Sequence, residues 1–260
     1  VKVSYIMSVY NEYEYIVASI ESILGQTYTD IELVLVDDSS SSRMNQILSI
    51  YNNHPKIKII KNDRNIGLTA SLNKALKLAT GEYVARLDAD DISLANRTEL
   101  QVNFLDSNVE FAMVGGDAIL IDENGNEIGY RKTENDPIKI KQKIYFKNMF
   151  IHPSVMIRRK VLEEFSGYNE SKKVSQDYDL WFKLLKKYNG ANLDTPLIKY
   201  RVREGSVTGR NNLHQRMNAL SMISNDLIRL KPGWVIQSYF WGCANILKSL
   251  TKIILIKFTK

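Results

Sequence analysis

The chain has 260 residues, 44% hydrophobic and 25% charged, enough for one large folded domain or a domain with an appendage and no need of disulfide staples. Its single cysteine, Cys243, excludes a disulfide framework and a cysteine-based zinc site within the chain, and fits a reducing compartment. The net charge of +6 suits phosphates, nucleic acid or an anionic membrane surface, but the excess sits in the tail from Lys231, which carries five lysines and no acid amid Trp234, Tyr239, Phe240, Trp241 and Phe258.

The opening Val1–Met7 stretch does not read as a signal peptide. No apolar run reaches the length of a membrane span, because Gln237, Asn245, Lys248 and Lys252 interrupt the stretches at 234–247 and 253–256. In chain order, Val3–Val9 predicts a strand. An amphipathic helix follows, with Ile16, Val17, Ile20, Ile23 and Leu24 on one face. Ile31–Val36 is a continuous apolar run, as in a strand covered on both sides. A helix over 43–52, a strand over 57–61 and a helix over 69–79 come next, the last ending at Gly81 as a C-terminal cap. A strand over 82–87 then runs into Asp88.

Beyond residue 100 the expected elements are a helix over 96–106 and two short strands, Met113–Val114 and Ala118–Ile121, before a turn at Asp122-Glu123-Asn124-Gly125. A helix over 137–146, a strand at His152–Ile157, a helix over 177–188, a strand at Leu197–Arg201 and a long helix at about 211–230 complete the pass. Strand–helix alternation implies a mostly parallel, Rossmann-like α/β sheet with helices on both faces, and in such sheets ligands bind at the carboxyl ends of the strands. Those ends are polar here: Tyr10-Asn11-Glu12, Asp37-Asp38-Ser39-Ser40, Asn65-Ile66-Gly67 and Asp88-Ala89-Asp90-Asp91.

The last of these is the sharpest chemical signal. Carboxylates at one strand end repel each other unless a positive charge sits among them, and hard oxygen ligands suit Mg²⁺ or Mn²⁺ bridging substrate phosphates. Asp88 and Asp90 are the expected ligands, with Asp91 open to a plain helix-capping role. Asp38 is expected to contact a nucleotide, whereas Asp37 reads equally as structural. Gly67 ahead of a helix permits close backbone approach to a ligand, or is a plain turn. In Gln176-Asp177-Tyr178-Asp179, Asp177 and Asp179 cannot share a helical face, so one of them can point into a cleft as a general base or simply favour the helix dipole. His152 reads as structural or functional, and Arg201, Arg203 and Arg210 as a phosphate clamp or a solvated edge.

As a set, Ser8-Val9-Tyr10-Asn11-Glu12, Gln26-Thr27-Tyr28, Glu32 to Ser40, Asn65-Ile66-Gly67-Leu68, Gly81 to Asp91, His152 to Met156, Gly167-Tyr168-Asn169-Glu170 and Asp177 to Trp181 resemble the family 2 glycosyltransferases of the GT-A fold, of the bacterial O-antigen or capsule type. The resemblance covers about residues 1–210, as a nucleotide-binding half (1–95) and a smaller acceptor-binding half (96–210), with a helical basic-aromatic tail at 211–260. It implies an inverting transferase that moves a hexose from a UDP-sugar to a glycan acceptor, carried on a lipid diphosphate, forming a β-linkage. Val9, Tyr10, Glu12, Asp38, Asn65 and Arg203 would then line the nucleotide-sugar site, with Asp88, Ala89 and Asp90 as a DXD motif holding Mn²⁺ or Mg²⁺ and the pyrophosphate. Asp177 would be the catalytic base, with His152 and Asp179 on the acceptor side. Two departures stand out: Gln176 replaces a usual Glu, and Arg203 stands near the place of a His in a Tyr-Arg-x-His pattern.

The resemblance further implies a cytoplasmic enzyme, peripheral on the inner face of the membrane. The tail reads evenly as docking on anionic lipid, as a helix packed on the domain or as a homodimer contact. A nucleotidyltransferase would want a glycine-rich basic loop after the first strand, where Tyr10-Asn11-Glu12-Tyr13 stands instead. A non-catalytic nucleotide-sugar-binding scaffold remains the alternative from another class. A nucleic-acid-binding role is disfavoured because the basic excess lies in the tail.

Overall fold

The computed structural model describes residues 1–172 and 174–203; the helix expected at about 211–230, Arg210 and the basic-aromatic tail lie outside them. The nucleotide-binding half is built from β1 (Val3–Val9), α1 (Ile16–Leu24), β2 (Ile31–Asp37), α2 (Ser42–Ser49), β3 (Ile57–Lys61), α3 (Leu68–Leu78) and β4 (Tyr83–Arg86). There follow β5 (Ile92–Ser93), α4 (Arg97–Ser107), β6 (Phe111–Ile121), β7 (Glu127–Arg131), α5 (Pro137–Lys143), β8 (Met156–Arg158), α6 (Arg159–Glu164), α7 (Gln176–Leu184) and β9 (Asn189–Arg201). Eight strands run side by side in the order β3-β2-β1-β4-β8-β6-β9-β5, and β7 pairs with the far end of β6 as a hairpin. The sheet is parallel from β3 to β4, and β8 then enters antiparallel to both β4 and β6.

Period-two alternation divides the core into two layers. On β1, Val3, Tyr5, Met7 and Val9 face α1, α2 and α4, while Ile6 faces α3 and α7. On β2, Leu33 and Leu35 take the first face and Val34 and Val36 the second, which is why this strand reads as an unbroken apolar run. Burial of each such side chain contributes about 1.5–3 kcal/mol, and the two layers hold the sheet from both faces. On α1, Ile16, Ile20 and Ile23 are buried but Val17 lies outward, one position off the expected face.

Three local expectations are corrected. Gly81 does not cap α3, whose last turn ends at Ala79 with φ −68°. Its missing side chain instead lets the chain pass against β1, where an added Cβ would lie 2.6 Å from the Lys2 carbonyl and 2.7 Å from the Ser4 nitrogen. The two short strands expected around 113–121 are one strand, β6. Gly115 and Gly116, which look like a break, permit close approach to Asn192 and Leu197 of β9, where the register shifts. The segment from His152 is not strand throughout: His152–Ser154 forms a 3-10 turn around Pro153, and pairing begins only at Met156. No helix among the described residues is long and apolar enough to cross a membrane.

Candidate active site

The carboxyl ends of β1, β2 and β4 meet on one rim, and short-range hydrogen bonds fix each tip. Asn11 adopts φ +54° at the end of β1, its backbone N–H donates to Ser40 Oγ (2.9 Å), and its side chain accepts from Ser41 N (3.0 Å). This staple leaves Tyr10 exposed and carries Glu12 toward the centre of the rim, while Val9 remains buried in the strand. Asp37 accepts from Ser40 N at 2.9 Å and closes the turn after β2, so its role is structural.

Asp38 was expected beside the nucleotide. Its buried carboxylate instead accepts from Asn62 Nδ2, Ile66 N and Gly67 N, each at 2.8 Å. It thereby folds the loop that presents the exposed Asn65, and Gly67 there adopts φ +89°, which L side chains rarely take. The fixed geometry gives Asp38 a holding role in this loop.

Beyond β4, Asp88, Asp90 and Asp91 bring carboxylate oxygens within 4.8 Å of one another. Ala89, between the first two, is nearly buried, which turns the flanking side chains to the same side. Asp91 does not cap α4, whose N-cap is Asn96; it is buried in the cluster, accepts from Arg201 N at 2.8 Å, and its Oδ2 has no partner among the described residues. Burial first, and then Asp88 and Asp90, push the Asp91 carboxyl well above the usual range. Burial and the Asp88 charge push Asp90 up as well. An orphaned buried oxygen and three crowded hard donors fit a divalent cation such as Mg²⁺ or Mn²⁺.

Arginines hold this loop from several sides. Arg201 donates from Nε to the Asp90 carbonyl (2.9 Å) and from Nη1 to the Asp122 carbonyl (2.8 Å), locking the loop to the β6–β7 turn. It is a structural clamp rather than part of a phosphate site. Arg203 bridges the two acidic tips, with Nη1 2.7 Å from Glu12 and Nη2 2.5 Å from Asp90. Tyr15 stacks beneath both guanidinium groups, 3.9 Å from Arg201 and 5.4 Å from Arg203. Arg86, in the last position of β4, is ion-paired with Asp88 from below. In the sequence, a cation inside the apolar run Tyr83–Leu87 is the one signal that marks Arg86.

Asp177 lies in the first turn of α7, behind Ser175 at φ +61°. Asn148 Nδ2 donates to its Oδ2 at 2.7 Å, and the backbone N–H groups at the start of α7 favour its charged form. Desolvation outweighs these bonds and raises the Asp177 carboxyl above its ordinary value. Beside it, His152 Nε2 meets the Tyr168 hydroxyl at 3.0 Å, and both rings pack edge-on against the buried Trp181. Burial, aided by Arg86, holds His152 neutral. Asp179, expected on the acceptor side, is corrected: it points to the other face of α7, is 5% exposed, and pairs with Lys183 at 2.5 Å. Asn148 and Tyr168 are further site residues that sequence reading did not single out, since neither carries a distinctive local pattern.

A Rossmann-like half with an acidic rim admits several enzyme classes, and comparison with known proteins narrows them. Residues 4–166 match the family model "Glycosyl transferase family 2". The chain belongs to this family. The transferase is 36% identical over 249 residues to an uncharacterized glycosyltransferase of Methanocaldococcus jannaschii, a match covering 94% of this chain and 82% of the relative. It is also 36% identical over 211 residues, 79% of each chain, to UDP-Glc:alpha-D-GlcNAc-diphosphoundecaprenol beta-1,3-glucosyltransferase WfgD of Escherichia coli. The O-antigen biosynthesis glycosyltransferase WbnJ of Escherichia coli is 34% identical over 212 residues, covering 78% of this chain and 81% of WbnJ. Among solved structures, TarS 1-349 of S. aureus in complex with UDP-GlcNAc superposes with a TM-score of 0.67 at 22% identity, over 92% of this chain and 70% of TarS 1-349. The mannosyltransferase PcManGT of Pyrobaculum calidifontis with GDP-Man and Mn²⁺ gives the same TM-score at 17% identity, over 96% of this chain and 75% of that one. At such identities these likenesses speak for the GT-A fold.

Proposed function

We propose that this transferase moves a hexose from a UDP-sugar to a hydroxyl of a lipid-diphosphate-linked glycan, with inversion, in surface polysaccharide biosynthesis. One observation carries the reading: a cluster of three carboxylates suited to a cation-bound diphosphate stands beyond β4, with Asp88 paired to the buried Arg86, and a desolvated aspartate suited to act as a base heads α7. The names of WfgD and WbnJ support the UDP donor, the polyprenyl diphosphate acceptor and the polysaccharide setting, and the TarS complex supports a UDP-sugar.

In this reading the nucleotide lies across the β1 and β2 tips, against the exposed Tyr10 and Asn65 and beside Glu12. Asp88 and Asp90, with Asp91 as a third carboxylate, would hold Mn²⁺ or Mg²⁺, which supplies charge neutralisation to the departing diphosphate when bound. Arg203 exchanges its Glu12 and Asp90 partners for the diphosphate as donor enters. Asp177, raised by burial, takes the proton from the acceptor hydroxyl as that oxygen attacks the anomeric carbon opposite UDP. Neutral His152 with Tyr168 forms the acceptor-side wall beside it. An α-linked donor then gives a β-linkage, and no covalent enzyme intermediate is required.

The test supplies UDP-hexoses with a GlcNAc-diphosphate-lipid acceptor and follows UDP release and the anomeric coupling of the product by NMR. The expected result is stoichiometric UDP with a β-linked disaccharide. An α-linked product, or a GDP- or dTDP-sugar as the donor used, overturns the reading; a protein that binds UDP-sugar but releases no UDP with any acceptor would be a scaffold.

A further inference from the structure

Arg86 takes part in no step of the transfer above, yet its setting is costly. Its side chain is 2% exposed, at the end of a strand that is otherwise apolar. Among the described residues its ion-pair partner is Asp88, through Nη2, and Nε and Nη1 are buried with no hydrogen-bond partner there. A fully buried guanidinium with unpartnered N–H groups is costly unless it performs a task that a smaller apolar side chain could not. Its backbone is fixed: Arg86 N donates to the Val155 carbonyl at 3.0 Å, and Arg97 Nη2 donates to the Arg86 carbonyl at 2.8 Å. The guanidinium is therefore held at a set depth under the carboxylate cluster, and its charge is felt by Asp177, His152, Tyr168 and Asp91 as well.

We propose that Arg86 is a positioning residue of the donor site: it anchors one oxygen of Asp88 from beneath, so that the other oxygen is presented toward Asp90 and Asp91 for a divalent cation. Asp88 is about a third exposed and would otherwise rotate freely among solvated orientations. An anchor in rigid β4 replaces that freedom with one direction, the usual way in which a residue behind a ligand tunes a metal site. A lysine can carry the charge here but offers a single point contact instead of a planar fork, so it restores the effect only partly. The inference rests on the reading of Asp88 and Asp90 as cation ligands.

Manganese binding is read directly from the electron paramagnetic resonance signal of free Mn²⁺, with no substrate present, in the wild type, Arg86→Met, Arg86→Lys and Asp90→Ala. The expected result is a Kd for Mn²⁺ at least about tenfold weaker in Arg86→Met, and an intermediate loss in Arg86→Lys. In turnover, the donor KM of Arg86→Met rises at limiting Mn²⁺ and falls back as Mn²⁺ is saturated. A folded Arg86→Met whose Mn²⁺ affinity equals or exceeds the wild type overturns the proposal, because Arg86 is then only a buried support or a competing cation. Should Arg86→Met fail to fold, the Arg86 Nε–H resonance of the wild type decides: it shifts on Mg²⁺ titration if the anchor is coupled to the site, and its constancy refutes the coupling. If the wild type and Asp90→Ala bind Mn²⁺ alike, the carboxylate reading itself fails, separately from the role of Arg86.

Discussion

Asp177 is held by Asn148 and by backbone N–H groups, yet burial lifts its carboxyl above the ordinary aspartate value. A raised carboxyl binds its proton more tightly in the folded state. Its anionic form therefore costs stability as pH rises through the folded value, and the cost vanishes below the unfolded value. Asp177→Asn should lose about 10²–10⁴-fold in kcat while melting at the same or a higher temperature at neutral pH. The wild-type kcat/KM should fall on the acid side at a pH above the ordinary aspartate range of about 3.9. A variant that keeps its activity, or a profile flat through that region, removes Asp177 from the base role. Asp38 makes a contrasting case. Its three hydrogen bonds shape the Asn65 loop from within, so Asp38→Ala should cost about 2–4 kcal/mol in denaturant unfolding and weaken UDP binding indirectly. A variant of wild-type stability that loses only UDP affinity would make Asp38 a direct ligand instead.

At the scale of elements, what could be read from sequence was set by how local the cause is. β1 and β3 have the expected bounds, because alternation or an unbroken apolar run identifies a strand from its own residues. The acidic tips were legible for the same reason: the order of strand, Asp and helix places them on one rim. The glycines misled, because their function lies in a distant neighbour. Gly81 looks like a cap in sequence and is a close-approach point against β1 in space. Gly81→Ala should therefore destabilise the fold by about 1–3 kcal/mol through a clash with backbone that cannot yield, as thermal or denaturant unfolding would report. An unchanged or raised stability would mean that the Lys2–Ser4 segment can move aside. Short β5, the exposed hairpin strand β7 and helix α6 were also missed, since two to six residues carry too little periodicity to stand out.

For the molecule as a whole, the family, the GT-A fold and the acidic rim follow from motif order. The facing of α7 toward one aspartate and away from the other does not, since it depends on which side of the helix the Trp181 stripe buries. The role of Arg86 likewise emerges only when β4 is seen beneath the carboxylate cluster. In the proposed function this cluster binds the diphosphate of a UDP-sugar through a divalent cation. Calorimetric titration of the purified protein with UDP-, GDP-, dTDP- and CMP-sugars, with and without Mn²⁺ and alongside Asp90→Ala, tests it most directly. A UDP-sugar alone should bind, binding should require Mn²⁺, and Asp90→Ala should abolish it. Equal binding of UDP-sugars without metal would rule out the cation site and leave Arg203 as the diphosphate clamp, and no binding of any nucleotide sugar would rule out a nucleotide-sugar transferase.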